Sequence, residues 1–362
     1  MIEQFLPAFH YGDAIGNCAL GLHRFLLQQG IDSRIIALSV DESLKNDAIL
    51  FKDYHHDHHD HHAPKSHSLK ILHFAIPSVL TDFFLETHGP KAMIYHNITP
   101  PHFFLDFSDS LVRFTHEGRK HLERLRNCFD IAIADSNYNA NELRALNYQN
   151  VRAFPLTVPL SDYDIPFKTA YHHLLNDERK KNIVFVGRIS PNKKIEDLIR
   201  TLAVYKKYLS PAVRLIIAGN TGTLPTYFYA LKELARNLRL SNHDVIFTGH
   251  IPFDELLAVY RLGDVFLSMS EHEGFCLPLI ESCYFQVPVV AFDAGAVSET
   301  LDGSGILFHE KKYDAVAGLL EQVIHHQELR SQLSELQKER IAKYKRDADP
   351  FKLLDHFSSW ID

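Results

Sequence analysis

Apolar and polar positions along the chain repeat a strand-then-helix rhythm. Short apolar runs predict buried strands, and stretches with apolar positions three and four apart predict helices. In the first half the expected strands are 5–9, 69–75, 91–95 and 130–134, and helices are expected to end at Gly30 and to span 79–85, 113–126 and 139–146. In the second half strands are expected at 183–186, 213–218, 245–248, 264–268, 287–292 and 306–308, with helices between them and at 313–327 and 328–343. This alternation predicts parallel sheets with both faces covered, so the fold class is α/β.

An irregular connector separates the two halves. It contains Pro155, Pro159 and Pro166 within a polar stretch, and the next clear strand begins near residue 182. The 362 residues are enough for two domains that each bury a core. We therefore expect two Rossmann-like, doubly wound parallel-sheet domains, 1–165 and 166–345, facing each other across a cleft.

Composition narrows the class of protein. Hydrophobic residues make up 46% and charged residues 23% of the chain, as in ordinary globular proteins, and the net charge of -7 disfavours a nucleic-acid partner. The sequence shows no signal peptide and no apolar run of 18 residues, and its four scattered cysteines favour reduced thiols. We expect a cytoplasmic protein.

The stretch 268–282 combines a loop, a helix start and two carboxylates. It follows the apolar run 264–267, and Pro278 is expected at the first helical position, where its missing N–H costs nothing. Glu273 on the loop and Glu281 in the helix flank this start. The backbone N–H groups expected to be free there, and so available to an anionic or hydroxyl-rich ligand, belong to Gly274, Phe275 and Cys276.

This stretch carries a resemblance. Glu273, seven residues and then Glu281, with Gly-Phe after the first and Pro three before the second, resembles the nucleotide-sugar signature of retaining GT-B glycosyltransferases of family 4. The resemblance implies that Glu281 binds the ribose, that Glu273 lies by the donor sugar, and that the backbone of Gly274–Leu277 holds the sugar and phosphate. It also implies the GT-B form of the fold, with segment 346–362 packing back on the first domain.

A second motif follows the first strand of the second half. Gly187 allows the backbone to turn, and Arg188 and Lys193 place two cations where a departing diphosphate gains negative charge. Their spacing matches the Arg and Lys that clamp the donor diphosphate in family 4. By the same resemblance, Ile251 borders the base of the nucleotide.

Three positions of the first half match family segments. The turn with Gly12 and Gly16 corresponds to a loop facing the donor phosphates, although glycine there also suits a plain turn. His96 lies at a strand end in Tyr-His-Asn-Ile-Thr-Pro-Pro, which resembles a segment of bacterial surface-polysaccharide enzymes, and would contact the donor sugar or acceptor. Ser136 or Asn137 is expected to cap a helix, and by the resemblance Ser136 lies at the cleft edge.

Two histidine-containing or basic segments have competing interpretations. The basic helix 113–126 suits anionic lipid head groups, but its interrupting glutamates favour a solvated face. The tract His55–His62 has imidazole ligands for metals, but its low complexity favours a surface loop with incidental metal binding. No metal is expected at the active site.

The resemblance implies an enzyme that moves a hexose, with mannose favoured, from a GDP- or UDP-sugar to a glycan or lipid-linked acceptor in cell-envelope polysaccharide synthesis. It needs no cofactor besides this donor and could contact the inner face of a membrane. Two alternatives stay open: a glycoside hydrolase using Glu273 and Glu281 as acid and nucleophile, and a non-catalytic nucleotide-sugar or metal-binding protein. The base, sugar, acceptor, linkage and oligomeric state are not determined by the sequence.

Overall fold

The computed structural model describes residues 1–10, 12–57 and 68–360. Residues 58–62 of the histidine tract lie outside this range, so the structure does not address their role. The chain divides into two units, the first made of 1–101, 110–159 and 344–362 and the second of 102–109 and 160–343. The domain boundaries expected at residues 165 and 345 stay predictions.

The first unit contains a parallel sheet. Its described strands are β1 Ile2–Leu6, β2 Ser33–Ala37, β3 Ile49–Leu50, β4 Leu69–Phe74, β5 Lys91–Tyr95, β6 Ile131–Ala134 and β7 Val151–Ala153, in the order β3-β2-β1-β4-β5-β6-β7. The helices from this half of the chain are α1 Ala14–Gln28, α2 Phe51–Asp57, α3 Leu80–Glu86, α4 Asp109–Arg124 and α5 Asn137–Ala145. Pairs such as Phe5 with Leu72 and Tyr95 with Ala134 fix the register.

Both faces of this sheet are buried, as a parallel sheet requires. Along β4, Leu72 and Phe74 pack into one apolar cluster while Leu69 and Ile71 pack into another. The second of these clusters also contains Phe357, from the carboxyl-terminal part of the chain. The carboxyl-terminal segment thus contributes Leu353 and Phe357 to the core of the first unit.

The second unit contains another parallel sheet. Its described strands are β8 Lys181–Val186, β9 Val213–Ala218, β10 Val245–Gly249, β11 Val265–Ser268, β12 Val289–Phe292 and β13 Ile306–Phe308, in the order β10-β9-β8-β11-β12-β13. Its helices are α6 Thr169–Leu175, α7 Ile195–Tyr208, α8 Pro225–Asn237, α9 Phe253–Leu262, α10 Leu277–Tyr284, α11 Val297–Leu301 and α12 Tyr313–His325. The long α13 Gln327–Asp347 and the short α14 Pro350–Asp355 follow. The prediction of two Rossmann-like α/β domains is confirmed.

Several predicted boundaries were wrong. The first strand was expected at 5–9 but is Ile2–Leu6, because Pro7 has no N–H to donate to a sheet. The basic helix was expected at 113–126 but begins at Asp109 and gives way to a 3₁₀ turn at Leu125. Strands β2, β3 and β7 were not predicted.

The segment 102–109 belongs to the second unit although it lies within the first half of the chain. The ring of Phe107 packs at 5.0 Å from that of Tyr227, and the Thr226 hydroxyl donates to the Phe107 carbonyl at 3.2 Å. Phe103 lies 6.2 Å from the ring of His272. The second unit therefore includes residues that the predicted domain boundaries assigned to the first.

Candidate active site

The order of strands in the second unit places a ligand-binding position between β8 and β11. The two strands are neighbours, yet β8 leads on to β9 on one side and β11 leads on to β12 on the other. In open α/β sheets, ligands bind outside the carboxyl ends of the strands at such a switch point. The loops that follow β8 and β11 carry both predicted motifs.

Backbone and amide hydrogen bonds join these two loops. The Asn192 side-chain amide donates to the His272 carbonyl at 3.1 Å, and the Glu271 N–H donates to the Asn192 carbonyl at 2.8 Å. Asn192 is buried, so it is screened from competing water. The 3₁₀ turn Pro191–Lys193 is thereby held against the loop that carries Glu273.

Lys193 and Glu273 form a direct ion pair. The Lys193 Nζ donates to both carboxylate oxygens of Glu273, at 2.7 and 2.6 Å, and the two side chains are only 15% and 6% exposed. The Arg188 side chain is exposed and has no hydrogen bond or ion pair with any residue that the structure describes. Of the two predicted cations, Lys193 is therefore paired with Glu273, and Arg188 is available to a ligand.

Two glycines, Gly219 and Gly295, lie in close contact with the backbone of these same loops. An ideal Cβ at Gly219, after β9, would lie 2.8 Å from the carbonyl carbon of Gly187 and nearer still to its oxygen. Gly295 has φ of +62°, and a Cβ there would lie 2.9 Å from the Glu273 nitrogen. The Ala296 N–H donates to the Glu273 carbonyl at 3.0 Å. Glycine is required at both positions because the neighbouring backbone occupies the space of a side chain.

The helix of the Glu motif begins one residue earlier than predicted. Helix α10 starts at Leu277, so Pro278 is the second helical residue and not the first. Cys276 precedes it in a left-handed conformation with φ of 68°, which ends the loop and starts the helix. Burial and the charge of Glu273 raise the pKa of the Cys276 thiol well above its usual range, so this thiol is neutral.

Glu281 is buried beneath two tyrosines. Its Oε1 accepts from the Tyr163 hydroxyl at 2.7 Å, and its Oε2 accepts from the Tyr260 hydroxyl. Burial raises the pKa of Glu281, while the two hydrogen bonds act in the opposite direction by stabilising the carboxylate. Each carboxylate oxygen has two lone pairs, so Glu281 retains the capacity to accept from ligand hydroxyls.

Tyr163→Phe should lower the free energy of unfolding by about 1–3 kcal/mol at neutral pH, because one buried oxygen of Glu281 loses its donor. A carboxyl with a raised pKa in the folded state loses stability as the pH rises through that pKa. Removing the Tyr163 hydroxyl, which stabilises the carboxylate, increases this loss. The destabilisation by Tyr163→Phe, measured by urea unfolding, should therefore be larger at about pH 7.5 than at about pH 5. Tyr284→Phe, which removes a hydroxyl bonded to the exposed Asp164, is the control. An equal effect of Tyr163→Phe at both pH values would contradict the role of Glu281.

The predicted residues of the first unit lie near the carboxyl edge of its sheet. Of the two residues predicted to cap α5, Ser136 does so, by accepting from the Asn139 N–H at 3.1 Å, and Asn137 is the first helical residue. The N–H of Gly16, the third residue of α1, is bonded to the Asp13 side chain at 3.1 Å. The His96 ring is buried, with its Nδ1 2.8 Å from the Asp135 carboxylate and its Nε2 3.0 Å from His73. The ligand contacts implied for these residues stay predictions.

The basic helix is largely neutralised by neighbouring acids. In α4, Arg119 bonds Glu142 at 2.6 Å and Lys120 bonds Glu117 at 2.8 Å. Arg124 likewise bonds Asp82 at 2.6 Å. These pairs favour the solvated face over the lipid-binding interpretation.

The described residues contain neither a membrane-spanning helix nor a cluster of metal ligands. None of their helices is long and apolar enough to cross a membrane. Within the same residues, no group of three or more His, Cys, Asp or Glu side chains could hold a metal ion.

The sequence did not predict the side chains that form hydrogen bonds with Glu281 and His96. Tyr163 and Tyr260 meet Glu281 from 118 and 21 residues away, and no pattern links them along the chain. His73 and Asp135 hold His96 in the same way. Asp135 could have been predicted as a site residue, because it is an acidic residue directly after a buried strand.

Comparisons with known proteins point to one enzyme class. Residues 168–340 match the family model described as glycosyl transferases group 1. An uncharacterized glycosyltransferase of Methanocaldococcus jannaschii is 32% identical over 40% of this chain and 36% of that protein. A GDP-mannose-dependent alpha-(1-6)-phosphatidylinositol monomannoside mannosyltransferase of Mycobacterium tuberculosis is 26% identical over 40% of this chain and 38% of that protein. The chain thus spans little more than a third of the length of these curated relatives.

Solved structures share the fold across nearly the whole chain. Sucrose-phosphate synthase from Thermosynechococcus elongatus superposes with a TM-score of 0.76 at 16% identity, covering 99% of this chain and 98% of that one. Anabaena HepE, in complex with UDP-glucose, superposes with a TM-score of 0.75 at 15% identity and the same coverage. Residues 168–340 therefore match the group 1 glycosyl transferases in sequence, and the chain as a whole has the fold of solved GT-B glycosyltransferases.

Proposed function

We propose that this protein is a nucleotide-sugar-dependent glycosyltransferase whose second unit binds the donor. The observation that carries the proposal is the placement of Arg188, Lys193 and Glu273 together at the switch point between β8 and β11. A diphosphate leaving group gains negative charge as the bond to the sugar breaks, and cations held at that position stabilise it. Arg188 is available for bidentate binding of phosphate oxygens.

Lys193 and Glu273 have complementary roles in this mechanism. Lys193 donates to both carboxylate oxygens of Glu273 and keeps a third N–H for the diphosphate. The Glu273 carboxylate in turn faces the positive charge that develops on the sugar. Glu281, held by Tyr163 and Tyr260, accepts from the ribose hydroxyls, and Ile251 borders the base.

The finer assignments rest on resemblance and relatives. We propose a retaining family 4 enzyme that transfers mannose from GDP-mannose, the donor named for the mycobacterial relative, to a glycan or lipid-linked acceptor of the cell envelope. UDP-glucose, the ligand named for HepE, is the second donor to test. Gly16, His96 and Ser136 are proposed to serve the donor sugar or the acceptor. The proposal includes no metal and places the enzyme in the cytoplasm.

The glycoside hydrolase alternative, with Glu273 as the acid, is disfavoured by the hydrogen bonds of Glu273. A hydrolase needs one carboxyl group that keeps its proton as a general acid. Glu273 receives two N–H bonds from a lysine, which favours the carboxylate. Cleavage of an aryl glycoside without any nucleotide would support the hydrolase instead.

A thermal-shift screen of GDP, UDP, ADP and their sugars tests the proposal. A donor at 100 times its Kd should stabilise the wild type by ~2.7 kcal/mol, which corresponds to roughly 5 °C. Arg188→Ala should abolish this shift. Arg179→Ala is the matched control, because Arg179 is an exposed arginine that precedes β8 at its amino end.

A turnover assay distinguishes a glycosyltransferase from a non-catalytic nucleotide-sugar-binding protein. Slow release of free sugar from the stabilising donor, lost in Arg188→Ala, supports catalysis. Binding without any transfer or hydrolysis indicates the non-catalytic alternative. A screen in which no nucleotide shifts the melting temperature contradicts the proposal.

A further inference from the structure

Four polar side chains form a continuous buried chain of hydrogen bonds in the first unit. Gln4 in β1 bonds His73 in β4 at 3.0 Å, and His73 bonds His96, after β5, at 3.0 Å. His96 then bonds Asp135, after β6, at 2.8 Å. Gln4 and His73 are fully buried, and the side chains of His96 and Asp135 are 3% and 6% exposed. These hydrogen bonds cross the neighbouring strands β1, β4, β5 and β6 and end at the carboxyl edge of the sheet.

The two ends of this chain fix the direction of the hydrogen bonds. The Gln4 Nε2 lies 3.1 Å from the Ala19 carbonyl, which can only accept, so the Gln4 Oε1 must face His73. The His73 Nε2 therefore carries a proton and donates it to Gln4. At the other end, the Asp135 carboxylate accepts, so the His96 Nδ1 also carries a proton.

The contact between the two rings requires one more proton. The His73 Nδ1 and the His96 Nε2 lie 3.0 Å apart, and the rings are within 5° of parallel. Two bare nitrogens at that distance would repel each other, so one of them must be protonated. The four ring nitrogens thus hold three protons, whereas two neutral imidazoles hold two.

We propose that His73 and His96 carry one extra proton between them, balanced by Asp135, and that His73 is the positioning residue that holds His96 as an imidazolium. His96 is the ring that bonds the Asp135 carboxylate, so the extra charge is paired when the proton lies on His96. Burial lowers the pKa of His73 well below its usual range, in agreement with a neutral His73. The Cys18 thiol on α1 is a titratable group that lies within electrostatic range of Asp135. Burial and Asp135 raise the pKa of the Cys18 thiol to about 12, so it adds no charge.

This arrangement gives His96 a fixed orientation before any ligand arrives. Both ring nitrogens are engaged, so the ring can neither flip nor exchange tautomers without breaking a buried hydrogen bond. The consequence for catalysis rests on the proposed function, in which His96 serves the donor sugar or the acceptor. The proton arrangement itself does not rest on it.

Neutron diffraction from crystals of the full chain, exchanged into D₂O at neutral pH, tests the proton arrangement directly. We expect deuterium on both ring nitrogens of His96 and on the Nε2 of His73, and none on the Nδ1 of His73. A pair with only two ring deuterons, or a Gln4 amide turned towards His73, would overturn the proposal. This result does not depend on the enzyme being active.

Two variants of His73 test its positioning role. His73→Asn places a carbonyl oxygen near the position of the Nδ1 and keeps an acceptor for His96, whereas His73→Leu removes it. We expect kcat to fall ~10-fold or more in His73→Leu and to be largely retained in His73→Asn, which keeps the acceptor for His96. Equal losses of kcat in the two variants would indicate a merely structural role. If the wild type shows no transfer, the proposed function fails, and the neutron result still decides the protonation.

The pH dependence of stability provides an independent check on His73. A histidine with a lowered pKa in the folded state contributes stability above its unfolded pKa, and this is lost as the pH falls below that value. Between about pH 6.5 and pH 5, the wild type should lose stability more steeply than His73→Asn in urea unfolding. His243→Asn, which changes an exposed histidine, should keep the wild-type slope. A His73→Asn slope as steep as that of the wild type would contradict a neutral His73.

Discussion

Lys193→Ala is expected to lower kcat/KM by ~10²–10³. The variant loses a cation at the diphosphate position and leaves Glu273, a buried carboxylate, without its bidentate partner. Removing one partner of a buried pair costs about 3–5 kcal/mol of stability at most sites, so part of the effect should appear as a lower melting temperature. Steady-state kinetics with the stabilising donor, together with urea unfolding, measure the two parts separately.

Three further variants separate the charge from the packing at this position. Lys193→Arg keeps the charge and should retain more activity than Lys193→Ala. The double variant with Glu273→Gln should recover stability, because no uncompensated charge remains, but it should not recover activity. Lys207→Ala, which removes an exposed lysine of α7, is the control for net charge. A Lys193→Ala enzyme within about threefold of the wild type would contradict the proposed clamp.

Gly219→Ala is expected to have the second large effect. The added methyl group would overlap the carbonyl of Gly187, so the backbone that leads into Arg188 must move. Backbone cannot rotate aside as a flexible side chain can, and we expect a loss of about 3 kcal/mol of stability together with loss of the donor-induced thermal shift. The measurement is the melting temperature with and without donor.

Gly318→Ala is the matched control for this variant. Gly318 lies in α12, and a Cβ there would meet no atom within 4 Å. Alanine is favoured over glycine in a helix by about 0.8–1 kcal/mol, so this change should stabilise the protein and leave donor binding intact. Normal donor binding by Gly219→Ala would show that the loop after β8 does not depend on this close approach.

In the first unit, the position of the first strand was difficult to predict from the sequence. Within β1, Glu3 and Gln4 read as polar positions, yet both are fully buried. Glu3 accepts from Ser68 and Tyr54, and Gln4 bonds Ala19 and His73, so partners far along the chain satisfy them. The apolar run 5–9 therefore gave a stronger signal than the true strand.

The second unit was more predictable because its strands are nearly continuous apolar runs. The predicted strand at 213–218 agrees with β9 at both ends, and 306–308 agrees with β13. Doubly buried strands of a parallel sheet have this pattern, and it can be recognised without knowing their neighbours. The start of α10 was misplaced by one residue because the left-handed conformation of Cys276 has no sequence signal.

The sequence by itself determined the α/β class, the division into two domains and the spacing of Arg188, Lys193, Glu273 and Glu281. These features follow from local periodicity and from short motifs. The tertiary structure alone decided which side chains meet: Lys193 with Glu273 across 80 residues, Tyr163 with Glu281 across 118, and His73 with His96 across 23. Strand order brings these partners together, and strand order is set by the packing of whole sheets, which no local pattern encodes.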